Sequence, residues 1–346
     1  MQRNSREDGV KMKTKIVFLV WLLTTTCLAQ QLKFRSNGEF KIAQFTDLHY
    51  AKGTPRSMVA LTCLDAVIGA ERPDLIVVTG DIIYSWPGDK AMQDVLDCVD
   101  KHNIPFVFLF GNHDAAEGAT TNEALYDQMR KMKNNIQPDR KGATAPDYVL
   151  TIQSHTGKSN AALLYCLDSH SMSTLKGEDG YAWLTFEQVA WYRAQSQQLA
   201  AAHQGKPLPA LAFFHIPLPE YNTATTNEEA VMIGTRMEAA CSPKLNSGMF
   251  TAMKEGGDVM GIFVGHDHDN DYSVMWHNIL LAYGRFSGGN TEYNHLPNGA
   301  RIIVLKEGER SFDTYIRLRS GEVVNRSKYP DSYIKDDWRT RKISEE

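Results

Sequence analysis

Five short polar clusters stand out because each closes an apolar run with residues able to bind a cation. They are Asp47-Leu48-His49, Gly80-Asp81, Gly111-Asn112-His113-Asp114, His215, and Gly265-His266-Asp267-His268. Imidazole and carboxylate donors suit Zn, Fe or Mn, and one carboxylate can bridge two ions about 3.5–4 Å apart. With Asp47 and Asp81 as the anionic ligands, two divalent ions leave a surplus of about two positive charges, which would attract and hold a phosphate group. Each cluster also has a plainer explanation. Asp47 or Asp81 could cap a helix, His215 after Phe213-Phe214 could be a satisfied core histidine, and any exposed strand end could carry His266 and His268. The set is harder to explain that way, because five of the eleven histidines share the same relative place.

That place is set by a repeated theme of short apolar runs followed by helical patterns. Lys41–Thr46, Leu75–Thr79 and Phe106–Phe110 read as strands, and Ser57–Ala70 and Asp89–His102 as the helices between them. Strands alternating with helices imply parallel pairing and right-handed crossovers. Ala161–Leu167, Ala210–Phe214 and Val259–Val264 continue the buried strands, with helices expected at Thr185–Ala202 and Ser247–Glu255. Beyond Tyr272, the runs Ser273–Trp276, Ile279–Tyr283, Arg301–Lys306 and Thr314–Leu318 read as antiparallel strands, giving a two-sheet core flanked by helices. Asn134–Pro146 is polar and reads as a loop. Ligands in open α/β sheets gather just beyond the carboxyl ends of the strands, where the five clusters fall.

The 346 residues, 42% hydrophobic and 23% charged, exclude disorder, collagen and coiled coil. The formal net charge is −4, and the first 29 residues hold five bases against two acids, so the remainder carries −7. An acidic body argues against nucleic acid or an anionic membrane as the main partner. Lys11, Lys13 and Lys15, the apolar run Ile16–Leu23 and the small residues up to Ala29 form an export signal, with cleavage expected after Ala29. The run is too short for a stable membrane span; an uncleaved interfacial anchor and a lipoprotein signal ending at Cys27 are the alternatives, the latter fitting Thr26 poorly. The product is then periplasmic or secreted. Cys63, Cys98, Cys166 and Cys241 stand singly and read as buried small hydrophobes. The expected division is a signal at 1–29, a catalytic domain at 30–320, and a charged, solvated C-terminal tail at 321–346.

In order and spacing, the five clusters resemble the signature of the calcineurin-like metallophosphoesterases, over roughly residues 41–306. The resemblance implies a four-layer α/β/β/α sandwich of two mixed β-sheets flanked by helices. Tyr165–Ser169, Phe214–Glu220 and Gly265–Asp271 are similar to the purple acid phosphatase-like branch that keeps an Asp-x-His first motif. Carried over, the pattern assigns Asp47, His49 and His268 to one metal ion, Asn112, His215 and His266 to the other, and Asp81 to both. The ions would be two divalent or mixed-valence transition metals, Fe, Mn or Zn. His113 would face the substrate and assist the leaving oxygen, with Asp114 orienting it. True purple acid phosphatases lack the first-motif His and use a Tyr in Gly-Asp-x-x-Tyr; this chain has both His49 and Tyr84, which compete for one position, with His49 favoured.

The implied activity is hydrolysis of a small phosphomonoester by attack of a metal-bound hydroxide. A phosphodiesterase or nucleotide pyrophosphatase with the same centre is the alternative, and a non-catalytic metal-binding scaffold a further one. No Gly-x-Ser-x-Gly elbow supports a serine hydrolase. Arg236, Arg285 and Asp168 are candidate substrate contacts, although a surface salt bridge would also explain Arg285. Gly288-Gly289-Asn290 either brings backbone amides to a phosphate or forms a plain turn.

Overall fold

The computed structural model describes residues 31–115, 120–140, 142, 146–289 and 293–335. The export signal, with Cys27 and Ala29, and Asn290 lie outside the described residues. In the first sheet, β1 (Glu39–Thr46), β2 (Leu75–Thr79) and β3 (Phe106–Leu109) pair in parallel, as the alternation with helices requires. The second sheet is built on β5 (Asn160–Cys166), β6 (Ala210–Phe213) and β8 (Val259–Val264), also parallel, with the antiparallel β4 (Tyr148–Gln153) at one edge. Beyond β8 lie β10 (Ile279–Tyr283), β9 (Ser273–Trp276) and the short β7 (Met232–Ile233). The first sheet is completed by β11 (Arg285–Phe286), β12 (Gly299–Lys306), β13 (Phe312–Leu318) and β14 (Val323–Tyr329), in the order β14-β13-β12-β1-β2-β3 with β11 beside β1.

Period-two alternation sorts each strand between two cores. In β1–β3, Ala43, Phe45, Ile76, Val78, Phe106 and Phe108 face one side and pack on helices α1 (Met58–Glu71), α2 (Gly88–Asp100) and α3 (Asn122–Met129). The intervening Phe40, Ile42, Leu75, Val77 and Val107 meet Leu211, Phe213, Met260 and Phe263 of the other sheet. The far face of that sheet, with Ala212, Ile262 and Val264, is covered by α4 (Phe186–Ala202), α5 (Glu220–Thr225) and α6 (Met249–Gly256). The result is the expected α/β/β/α sandwich of two mixed sheets.

Two expectations are corrected. The segment from 321 is not simply a solvated tail: β14 hydrogen-bonds along β13, and Tyr329 and Tyr333 are buried between the sheets. Its charges sit on the outward positions of an edge strand, where they guard the unpaired edge; Arg326 lies 4.5 Å from the centre of the Tyr315 ring. Cys63, Cys98 and Cys166 are buried free thiols as expected, but Cys241 is exposed. Among the described residues, no helix is long and apolar enough to cross a membrane.

Candidate metal centre

The five clusters emerge at one edge of the sandwich, just past the ends of β1, β2, β3, β6 and β8. Backbone bonds zip the loops together: Asp47 N–H donates to the Gly80 carbonyl (3.1 Å), His49 N–H to that of Asp81 (2.9 Å), and Gly265 N–H to that of His215 (3.0 Å). Asp47, His49, Asp81 and His266 all hold positive φ (53°, 42°, 49° and 82°). Left-handed backbone costs a non-glycine residue about 1–2 kcal/mol, and such strain gathers at functional sites. At Gly111 and Gly265 the reason for glycine is close approach: a Cβ on Gly111 would run into the Asp81 carboxylate, and one on Gly265 into the Thr46 hydroxyl and Asp47.

Asp47, His49 and His268 form one buried three-residue group with ligand atoms within 4.8 Å of one another, and Asp81, His215 and His266 form a second. Asp81 Oδ2 faces both, 3.4 Å from His49 Nε2 and 3.3 Å from His215 Nε2. Asn112 Oδ1 sits 3.2 Å from His215 Nε2, with the second group. His215 Nδ1 donates to the Thr79 carbonyl at 2.7 Å, which aims Nε2 into the cage. His268 Nδ1 likewise donates to the Tyr293 carbonyl at 3.2 Å. The Thr46 hydroxyl (2.7 Å) and the His266 amide (3.0 Å) hold Asp47.

The residues fit a pair of cations. His49 Nε2 is buried with no hydrogen-bond partner, an arrangement that is costly unless an ion or water takes its lone pair. The cage carboxylates also draw positive charge to themselves. Burial alone would depress the His215 imidazole, but Asp81 and Asp47 outweigh it and raise its pKa to about 10. Burial opposes ionisation of Asp81 too, yet His215 and His49 hold its carboxyl well below the usual range. Asp47 is raised by burial, which the His215 and His268 fields offset only in part. Burial lowers His49 to about 3 and His266 well below its ordinary value, leaving both as neutral donors. Neutral imidazoles around carboxylates that demand a counter-charge suit divalent transition metals.

His113 is half-buried beside the cage, its amide donating to Asp81 Oδ1 at 2.9 Å. The Asp114 carboxylate does not hold the His113 ring, contrary to expectation. It accepts the amides of Ile82 (2.7 Å), Ile83 (3.1 Å) and Gly111 (2.7 Å), clamping the loops after β2 and β3 together. Burial, with the nearby Asp81 charge, raises its pKa to about 7. The Tyr84 ring lies 5.9 Å from that of His49 and 5.3 Å from that of His113, with 39% of the residue exposed.

The candidate substrate contacts fare differently. Arg285 is buried, not a surface salt bridge: its Nη2 is bonded to Asp271 at 2.7 Å, and its Nε and Nη1 have no hydrogen-bond partner. Asp168 accepts the His170 amide (2.9 Å) and donates its own to Asp147 (2.9 Å), a polar knot at the start of α4 joined by Gln188. Arg236 is exposed on the segment bridged to Asn270. Gly288 lies against the backbone carbonyls of Asp47 and Leu48, so its lack of a side chain admits the metal loop. Missed by sequence reasoning are the aromatic neighbours of the imidazoles: Tyr181 edge-on to His266 (4.5 Å), Tyr293 stacked on His268 (4.8 Å), and Phe286 beside His268 (4.8 Å). Loop residues distant in sequence give no spacing signal; Thr46, next to Asp47, was within reach.

The fold and the paired cage define a metallophosphoesterase: the family model for calcineurin-like phosphoesterase matches residues 40–270, and the chain belongs to that family. It is 33% identical over 322 residues to an Arabidopsis thaliana protein named "Probable inactive purple acid phosphatase 14", covering 79% of this chain and 78% of that one. It is 30% identical to "Phosphatase DCR2" of Saccharomyces cerevisiae over 84% of this chain and 55% of that one. The fold matches a dimetal phosphatase from Danio rerio with a TM-score of 0.52 and 15% identity, covering 83% of this chain and 99% of that one.

Proposed function

We propose that the chain hydrolyses small phosphomonoesters at a dinuclear metal centre, and that it acts in the periplasm or is secreted after cleavage near Ala29. One observation carries the reading: a single oxygen, Asp81 Oδ2, faces an imidazole nitrogen of each group, 3.4 Å from His49 and 3.3 Å from His215. That is where a ligand shared by two cations belongs. Asp47, His49 and His268 would hold one ion, and His215, His266 and Asn112 the other. Fe, Mn or Zn bound there supplies Lewis acidity, which draws the pKa of water toward neutrality and neutralises phosphoryl oxygens.

The chain's own groups do the rest. With two divalent cations held by only two carboxylates, Asp47 and Asp81, the cage would carry net positive charge, which would favour a dianionic monoester over a monoanionic diester. His113, held at the lip through its amide, gives a proton to the departing alcohol oxygen. Asp114 keeps that loop in register with the Asp81 loop through three amides. His49, not Tyr84, is the ligand in this scheme, since His49 Nε2 is buried in the cage with no hydrogen-bond partner whereas Tyr84 is 39% exposed.

Metal analysis combined with p-nitrophenyl phosphate and its bis ester tests the reading. Two equivalents of transition metal with preferred turnover of the monoester are expected. Preference for the bis ester or for nucleotide pyrophosphates would make the chain a diesterase or pyrophosphatase. Two bound metals with no turnover of any of these esters would make it a scaffold, in line with the word "inactive" in the name of the Arabidopsis relative.

A further inference from the structure

Three loops around the cage each place a tyrosine against it. Tyr84, after β2, meets the His113 ring edge-on at 5.3 Å; Tyr181, between β5 and α4, meets His266 at 4.5 Å and 88°; Tyr293, between β11 and β12, stacks on His268 at 4.8 Å and 22°. Bracing of the imidazoles explains Tyr181, which is half-buried. It does not explain why Tyr84 and Tyr293 each keep 39% of their surface exposed at the mouth. Beside them stand two more exposed apolar side chains: Met172, bridged to Tyr181 and 55% exposed, and Met237, 55% exposed, whose amide is held by Asn270. Ser171 bonds to the Asn112 carbonyl at 3.2 Å, which brings the Met172 loop onto the site.

Resting on the function proposed above, we infer that this rim binds the alcohol portion of the ester, and that this portion carries a planar aromatic ring, as in an aryl phosphate or a nucleoside monophosphate. Tyrosine faces and methionine thioethers make their best contacts with flat rings. Polar bonds hold this rim in place. Glu238 accepts the Asp269 amide (3.0 Å) and the Tyr293 hydroxyl (3.3 Å), and Asp269 accepts the His295 amide (2.6 Å). Glu238 thereby fixes the Tyr293 ring at the rim, while Asp269 is paired with His295 and Arg236 stands exposed beside Met237, so the rim carries both signs of charge.

The test is binding to the metal-loaded protein, measured by calorimetry with orthophosphate, methylphosphonate and phenylphosphonate. Phenylphosphonate is expected to bind about tenfold more tightly than methylphosphonate, the scale of one or two ring contacts. Tyr84→Leu and Tyr293→Leu should each reduce that ratio about three- to tenfold, while Tyr84→Phe and Tyr293→Phe, which keep the ring, preserve it. Comparing AMP with ribose 5-phosphate separates a nucleoside from a simple aryl group. Equal affinity for the phenyl and methyl compounds, or a ratio unmoved by both leucine variants, would overturn the rim assignment while leaving the metal cage intact. Failure of the metal-loaded protein to bind orthophosphate would overturn both.

Discussion

Replacing Asp81 by Asn isolates charge from shape. The side chain keeps its size, so its fit against Gly111 and its contact with the His113 amide at 2.9 Å survive. What is lost is one negative charge 3.3 Å from His215 Nε2 and 3.4 Å from His49 Nε2. At an effective dielectric of about 20, a unit charge at that separation contributes about 5 kcal/mol, roughly three to four powers of ten in an equilibrium constant. In the metal-free protein the His215 imidazole, held at about 10 chiefly against burial by Asp81, should then lose its proton near or below neutrality. In the metal-bound protein, affinity for at least one of the two cations should fall by a similar factor, and turnover with it. Calorimetric titration of metal-free wild type and variant with Mn or Zn reads the second effect, and histidine resonances read the first, with circular dichroism confirming the fold. A variant that takes up two equivalents at wild-type affinity would refute the shared-carboxylate reasoning.

Three other outcomes follow from the geometry. His113→Ala should keep both metals yet lose about two to four powers of ten in turnover of esters with poor leaving groups, as measured by steady-state kinetics with parallel metal analysis; unchanged turnover would remove His113 from proton transfer. Truncation after Ser320 should remove β14 together with the buried Tyr329 and Tyr333, uncover the inter-sheet core they pack on, and destabilise the fold by several kcal/mol at about 2 kcal/mol per ring, seen as a large drop in the thermal midpoint. Glu71 is buried and bonded to Lys41 (2.9 Å), Tyr315 (2.8 Å) and Arg317 (2.5 Å); burial opposes its charge, but these donors outweigh it and hold its carboxyl below 4.5. Its stabilisation is therefore complete above that value and disappears as pH falls through the lowered one, so urea midpoints of wild type and Glu71→Gln should differ at pH 7 and converge in acid.

Much of the centre was legible because strand ends leave a mark in sequence: an apolar run such as Leu75–Thr79 stops, and the polar residue that follows lies at the carboxyl edge. The alternation that sends Phe45 to one core and Ile42 to the other is equally visible. Where the reading went wrong, local composition and tertiary context disagree. Val323–Tyr329 looks like a solvated tail because the outward positions of an edge strand carry its charges. Arg285 looks available for a phosphate because nothing near it in sequence announces Asp271 as its buried partner. Asp114 sits beside His113 in the chain, yet its carboxylate turns back to three amides, a choice made by the β2 loop. The tyrosine rim comes from three loops with no common spacing, so only folding brings it together.

Metal stoichiometry at the cage is the most direct measurement. Elemental analysis of the purified chain, with wild type compared to His49→Ala and His215→Ala, should give two transition-metal ions per wild-type chain and a deficit in each variant, since each removes a donor from a different three-residue group. Wild-type protein that saturates with one ion, or variants that each retain two, would contradict a paired centre joined through Asp81.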